Sequence, residues 1–255
     1  MRQSNAKVDP TIDGHAIRSS ETRAKMIEAA IEVFGTVGYE AASTRVLVER
    51  AGVNLAAIPY HFGGKRKLYI AAAQSLADYA RKQVDPIIAH LRDAETKDPV
   101  VRIDEAVSSF FHLIVGGPEP QAWVTFFVRC EHDADDAFRI IYNEVIARFE
   151  RALKQTVAEA AGCDATDETL RMQVALVLAS IISFRALRNT TLRILGWDEF
   201  NPSRLRRLDM TIKDLARSEF FSSPAAVPAC RPAASSNGSG PSARAGTLAG
   251  RTPRR

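Results

Sequence analysis

An all-α fold is predicted by three features of this sequence. Apolar residues recur at spacings of three and four over most of residues 20–221, no stretch alternates with period two over a useful length, and the periodic runs are bounded by glycine, proline and capping residues. At 255 residues and 46% hydrophobic content, the chain can bury a full core in one large or two smaller units.

Residues 1–19 contain Pro10 and Gly14 with no apolar period and read as a flexible N-terminal arm. From Ser20, the residues Ile27, Ala30, Ile31 and Phe34 form one apolar stripe with charges between them, an amphipathic helix ending near Gly38. Ser43 suits the cap of a short helix over Thr44 to Ala51, although position 46 is Val and the reciprocal partner of a capping box is missing. This helix buries Leu47, Val48 and Ala51, and Gly52 ends it where a left-handed backbone would cost a residue with a Cβ about 1–2 kcal/mol. Val53 anchors the turn, and Asn54 offers a side-chain oxygen to cap a second, very short helix. That helix presents Leu55, Ala56, Ala57 and Pro59 outward, while Ile58 and Phe62 turn back toward Leu47 and Ala51. A helix with such a small, mostly uncharged outer face can approach base edges closely, so residues 20–66 are expected to form a three-helix DNA-reading head. Pro59 removes one backbone bond, which the first turn of a short helix tolerates.

A longer helix is expected from Lys65 through Leu68, Ala72, Leu76 and Tyr79 toward Leu91, joining the head to a helical trunk over residues 67–221. Asp98-Pro99 is a cap followed by proline in the first turn, and opens a helix through Ile103, Val107, Phe110 and Ile114 that Gly116-Gly117-Pro118 closes. Gln121 to His132 is an aromatic-rich segment, and a long helix runs from Asp136 to Gly162. Thr169 to Leu195 is apolar on more than one face, and Asn201-Pro202 starts a last helix with Leu205, Leu208, Ile212 and Leu215 on one side. Residues 222–255 turn to Pro, Ala, Ser, Gly and Arg and are expected to be a disordered basic tail.

Composition narrows the function classes. The three cysteines, Cys130, Cys163 and Cys230, show no CxxC and no ligand-like spacing to a histidine, which argues against a disulfide framework or zinc site and fits a reducing cytosol. No catalytic residue, metal site or cofactor is expected. The N-terminus lacks the apolar core of a signal peptide, and the run Val174 to Phe184 is too short to span a bilayer. A cytoplasmic protein without a membrane partner is therefore expected. The net charge of +4 is unevenly held: residues 222–255 carry five arginines and no acids, residues 1–70 have ten Lys/Arg against seven Asp/Glu, and residues 71–221 have 19 against 23. A mildly basic head on an acidic trunk is the division expected if only the head approaches phosphates.

Residues 20–70 resemble the DNA-binding domain of the TetR family of bacterial transcriptional regulators. The resemblance rests on Ile27, Ala30, Phe34, Gly38 and Tyr39, then Thr44, Ala51-Gly52-Val53, Tyr60-His61-Phe62, Lys65 and Leu68. The trunk resembles the YbiH/CecR subgroup in "AIPYHFGGK" followed by "LYIAAA" and in Arg129, Asp133, Ala137, Phe138 and Ile141-Tyr142. The chain departs from these patterns with Val48 for a small Ala, Cys130 for Glu and Ala134 for Pro. The resemblance implies that Thr44, Tyr60, His61 and Lys65 contact phosphates, while Arg45, Asn54, Leu55, Ala56, Ala57 and Pro59 face the major groove. Gly63-Gly64 lets the backbone turn so that the N-terminus of the long helix faces a phosphate.

In the trunk, Phe110, Trp123, Phe126, Phe127, Phe138, Phe149 and Phe184 are candidates to line an apolar ligand cavity. Arg129, Glu131, His112, Arg185 and Asn189 are candidate polar contacts. Any single aromatic is better explained by ordinary core packing. Arg185 interrupts the most apolar helix, so it needs a carboxylate or ligand partner, or a place at a subunit edge. The apolar faces at 174–184 and 205–215 suggest a four-helix bundle with a second copy, and the twofold would present two heads to a palindromic operator. The expectation is a homodimeric, effector-responsive transcriptional regulator, a repressor acting on double-stranded operator DNA in response to a small molecule. Two other readings stay open here: a helical enzyme using His112, Glu131 or His132 as acid or base, and a nonspecific DNA-binding structural protein relying on the basic tail.

Overall fold

A computed structural model describes residues 10–95, 98–117 and 120–222. The remainder of the expected arm, residues 1–9, and residues 223–255 of the expected tail lie outside the described residues.

Eleven α-helices are present among the described residues, with no strand. The head comprises α1 (Pro10–Ala41), α2 (Thr44–Ala51) and α3 (Ala57–Phe62). Met26, Ala30, Ile31 and Phe34 of α1 meet Leu47 of α2, Ile58 of α3 and Leu68 of the following helix in one buried cluster. The stripe read from the sequence is thus the packed face. Helix α1 starts at Pro10, so it includes residues 10–19 that composition assigned to the arm. Near its end, Gly38 takes φ 82° and ψ 170°, which breaks the helical path within one turn of the expected terminus.

Helix α4 (Lys65–Arg92) is the spine of the molecule and packs against α1 and α3 of the head and α5 (Pro99–Gly116), α7 (Asp136–Ile141) and α8 (Ala147–Ala161) of the trunk. Its far end is held by two side chains at one backbone oxygen. The buried Arg102 donates through Nη1 to the Leu91 carbonyl, Thr156 Oγ1 donates to the same carbonyl at 3.1 Å, and Arg102 Nη2 reaches Glu159 at 2.7 Å. These bonds offset the unpaired carbonyls that a helix end would otherwise bury.

The remaining helices are α6 (Gln121–Asp133), α9 (Glu168–Ala186), α10 (Arg188–Leu195) and α11 (Pro202–Arg217). Asp98 and Asn201 cap α5 and α11, accepting from the Val100 and Arg204 N–H groups at 2.8 and 3.0 Å, and each is followed by the proline that the sequence placed there. Two breaks were not expected. The helix from Asp136 to Gly162 passes through a π turn at Tyr142–Ile146, and the apolar run to Leu195 divides at Leu187, after which Arg188 stacks over the Phe200 ring at 4.9 Å.

The apolar stripe of α11 is also placed differently. Leu208 and Ile212 are buried, and α11 packs on α5 of the same chain, so this face is used within the protomer. Exposed apolar groups lie instead on Met172 and Leu176 of α9, Leu187, Ile194 of α10 and Met210 of α11. Helix α9 has 19 residues and is, by length and composition, long and apolar enough to cross a membrane, unlike the 11-residue run seen in the sequence. Its Val174, Val177, Leu178 and Ile181 belong to the trunk core, and a third of the apolar window is buried.

Candidate nucleic-acid interface and effector cavity

The turn between α2 and α3 is fixed by local bonds that the sequence specifies. Ser43 Oγ accepts from the Val46 N–H at 3.2 Å, which starts α2 without the missing capping-box partner. Gly52 ends it with φ 65° and ψ 36°, and its N–H and that of Val53 donate back to Glu49 and Val48 at 3.1 and 3.0 Å. Asn54 Oδ1 then accepts from the Ala56 N–H at 3.0 Å, capping the turn that enters α3. Pro59 is the third residue of α3, where an N–H has no intrahelical acceptor, so the proline costs no bond. Gly63, with φ 73°, closes α3 by donating to the Pro59 carbonyl at 2.9 Å.

This construction gives a six-residue helix with Ile58 and Phe62 buried and its outer surface open. Leu55 and Tyr60 are 55% and 72% exposed, and Thr44, Arg45, Asn54, Ala56 and Pro59 are exposed as well. Ala57, His61 and Lys65 are half-buried. The Tyr60 ring meets His61 edge-on at 4.8 Å, which orients both beside the helix. Lys65 opens α4, where the first-turn N–H groups point outward at the positive end of the helix. Its ammonium lies 4.5 Å from the Tyr39 ring and 3.4 Å from the Glu40 carbonyl, so the side chain also braces the end of α1.

Directly behind the head, α4 is clasped by the α6–α7 loop. Tyr69 donates to Asp135 at 2.6 Å and lies 3.3 Å from the Cys130 sulfur, while Asp135 caps α7 by accepting from the Ala137 and Phe138 N–H groups. Arg66 and Arg139 both pair with Asp136. The Arg139 hydrogen bond and charge, aided by Arg66, hold the Asp136 carboxyl below its ordinary range. The ion-paired form is therefore complete at neutral pH and is lost only as pH falls below the ordinary carboxylate range. Burial, and then the Asp135 hydrogen bond, push the Tyr69 hydroxyl far above its usual range. Burial pushes the Cys130 thiol up to about 12. In a chain whose Cys163 and Cys230 are serine, Cys130 is therefore expected to resist a thiol-exchange reagent at pH 8 until denaturant is added. Rapid labelling of the native protein would show that this junction opens.

A second contact joins head and trunk on the other side. At Gly35 of α1, an added Cβ would stand 2.9 Å from the Phe126 N and 3.2 Å from the Ala122 carbonyl of α6. Arg129 of α6 lies against Gly38 and directs Nη2 toward the Thr36 carbonyl at 3.5 Å.

Between α4, α5, α6, the π turn and α9 lies a cavity of about 150 Å³. Its walls are almost entirely aliphatic and aromatic, with Leu76 and Val84 from α4, Phe110 from α5, and Trp123 and Phe127 from α6. Val145 and Ile146 of the π turn complete one side, and Arg185 stands at another. Tyr79 and Trp123 pack edge-to-face at 5.0 Å and form the wall shared with an outer crevice between α1 and α4.

The matches to known proteins follow the same division of the chain. Residues 26–72 match the family described as bacterial regulatory proteins, tetR family, and residues 99–220 match the C-terminal domain of the HTH-type transcriptional dual regulator CecR. The chain belongs to the TetR family. CecR of Shigella flexneri is 28% identical over 204 residues, covering 77% of this chain and 90% of that protein. The transcriptional activator FasR of Mycolicibacterium smegmatis is 30% identical over 154 residues, 60% of each chain. The crystal structure of the regulator FadR from Bacillus subtilis with stearoyl-CoA has the same fold, with a TM-score of 0.54 at 16% identity over 77% of this chain and 98% of that one. TetR-family regulators bind DNA and small-molecule effectors, typically as dimers, and this chain is a transcriptional regulator of that family.

Within this TetR-family framework, the expected trunk residues separate into two groups. Phe110, Trp123, Phe127 and Arg185 line the cavity together. Phe126, Arg129 and Phe184 do not. Phe126 is buried against Tyr69 at 5.6 Å, Arg129 reaches back to α1, and Phe184 packs edge-on to Phe111 at 6.3 Å. Among α6 residues, Trp123 and Phe127 thus face the cavity while Phe126 and Arg129 face the head side, because positions three or four apart share a helix face. Phe149 stacks on Phe110 at 4.3 Å, and Phe138 meets Tyr142 at 5.6 Å, so both act in packing. His112, Glu131, His132 and Asn189 are exposed and do not line the cavity. The sequence reading missed Tyr79, whose position one turn after Leu76 carries the signal, and Val145 and Ile146, adjacent residues that reach one cavity through the π turn. Among the described residues, no group of His, Cys, Asp or Glu is arranged to hold a metal ion.

Proposed function

We propose that this TetR-family protein is a homodimeric, effector-responsive repressor that binds a palindromic operator through α2 and α3. The observation that carries the reading is the outer surface of α3 and the turn before it, where Leu55, Ala56, Pro59 and Tyr60 are exposed while Ile58 and Phe62 seat the helix on the head. In this reading Arg45, residues 54–57 and Pro59 face base edges, and Thr44, Tyr60, His61 and Lys65, with the first N–H groups of α4, fix the register on phosphates. The head spans residues 20–66, and residues 67–221 form the effector-binding and dimerisation domain. The exposed apolar side chains Met172, Leu176 and Ile194 support a twofold contact through α9 and α10. Two heads related by that twofold would enter successive major grooves about 34–36 Å apart.

The effector reading places the small molecule in the cavity bounded by Phe110, Trp123 and Phe127. Ligand there would press on α4 and shift the heads away from operator spacing. A coupling of about 1–3 kcal/mol changes occupancy by roughly 5–150-fold. The long acyl ligand in the FadR crystal belongs to that protein, and the cavity of about 150 Å³ here calls for something smaller. CecR is described as a dual regulator and FasR as an activator, so the sign of regulation is tested separately. A promoter fused to a reporter is expected to gain output when this chain is deleted.

Selection of bound fragments from sheared genomic DNA tests the central claim, with a recurring palindrome as the expected result. A random set of fragments would overturn it. Truncation after residue 221 should leave specific binding intact. Tyr60→Ala should weaken binding to all sequences with little change in salt dependence, since a neutral hydroxyl displaces no counterion. Lys65→Ala should make the slope of log K against log salt shallower by about one unit per head. An unchanged slope would assign the Lys65 ammonium wholly to the Tyr39 and Glu40 contacts.

A further inference from the structure

We infer that the effector is a neutral, apolar molecule of one or two small rings, not a carboxylate, a cation or a long acyl chain. This rests on the effector reading proposed above and narrows it to a chemical class. Three observations converge on that class. The first is size, because a space of about 150 Å³ matches that of an engineered apolar protein cavity that takes up benzene or xenon.

The second is the lining. Apart from Tyr79, the Trp123 ring nitrogen and Arg185, the side chains around the space are hydrocarbon, and the peptide groups behind them belong to helices whose bonds are made internally. Tyr79 and Arg185 are each engaged by other groups of the protein. A charged ligand entering here would exchange its water for a lining with one charged side chain, Arg185, which already makes another interaction, and that disfavours it. A neutral ring loses little and gains dispersion contacts with Phe110, Phe127 and Val145 on several sides.

The third is the route. The Tyr79–Trp123 pair separates the cavity from the outer crevice, and the same crevice is walled by Ile27 and Ile31 of α1. A flat apolar molecule can pass between two rings by a change of side-chain rotamer. Its arrival then alters the packing where α1 meets α4, beside the head.

Calorimetric titration of the full-length chain with toluene, benzoate and stearate tests the class, with emission from Trp123 in a Trp197→Phe background reporting location. Toluene is expected to saturate and to shift that emission, with benzoate and stearate at least tenfold weaker. Toluene should also change affinity for the selected operator by at least fivefold. Val84→Ala should move the preference from toluene toward naphthalene, and Ala80→Leu, at another wall residue one turn before Val84, should abolish toluene binding while operator binding by the ligand-free protein persists. If Ala80→Leu does not fold, the shift in Val84→Ala still decides the point. Equal or tighter binding of benzoate or stearate would overturn the inference and leave the effector reading standing. Toluene binding without a change in operator affinity, or no saturable toluene binding, would also overturn it. Failure of the regulator reading appears elsewhere, as absence of any recurring sequence in the fragment selection.

Discussion

Replacing Arg102 by alanine should lower the unfolding free energy by about 3 kcal/mol, a large share of the roughly 5–15 kcal/mol that holds a domain folded. The side chain is 2% exposed and fills space between α4, α5 and α8. Truncation leaves a void there and removes one of two donors from the Leu91 carbonyl. The loss of the Glu159 pair adds less, because that carboxylate is half exposed and can be hydrated. Arg102 Nε has no hydrogen-bond partner among the described residues, so the charge is incompletely satisfied. Arg102→Met should therefore recover most of the loss by filling the space without a buried charge. Urea denaturation at fixed protein concentration separates the two, with the alanine midpoint about 1 M or more below the parent. If methionine is as damaging as alanine, the ion pair outweighs the packing.

Gly35→Ala is expected to destabilise although it replaces glycine within a helix. The usual gain in helix propensity is about 1 kcal/mol. Here the new methyl would sit 2.9 Å from a backbone nitrogen of α6, which cannot rotate away, and overpacking of this kind costs about 1–3 kcal/mol. Gly35→Val should cost more and should also reduce the effect of ligand on operator binding, because it wedges α1 away from α6. Thermal melts give the sign. A rise in Tm for Gly35→Ala would show that α6 retreats without penalty.

The head was legible because its instructions are local. Ser43, Gly52, Asn54 and Gly63 each act within four residues, so their side chains or backbone preferences declare the turn on their own. Asp98 and Asn201 did the same for the trunk. The failures are choices made across long sequence distances. Arg129 stands in the sequence as a candidate ligand contact, yet it meets Thr36, 93 residues away. Arg102 sits beside an apolar stripe like any surface arginine, and only Leu91 and Glu159 make its burial possible. The α11 stripe was legible as a buried face, but not that α5 of the same chain covers it. Likewise, the chain from Asp136 to Gly162 reads as one helix because a π turn has no compositional mark.

That π turn bears on how proteins of this kind change length. A π turn accommodates one more residue per turn than α-helix, so an insertion or deletion there can be taken up without rotating the flanking helices. In this chain the turn carries Val145 and Ile146 at the cavity wall, while Arg148 and Phe149 beyond it keep their places against Asp85 and Phe110. Loss of a single codon, for instance that of exposed Asn143, would redraw the wall and leave the scaffold in register. The cavity can thus be reshaped in steps of one residue as well as by substitution, which gives selection a way to alter effector choice while the DNA-reading head stays untouched.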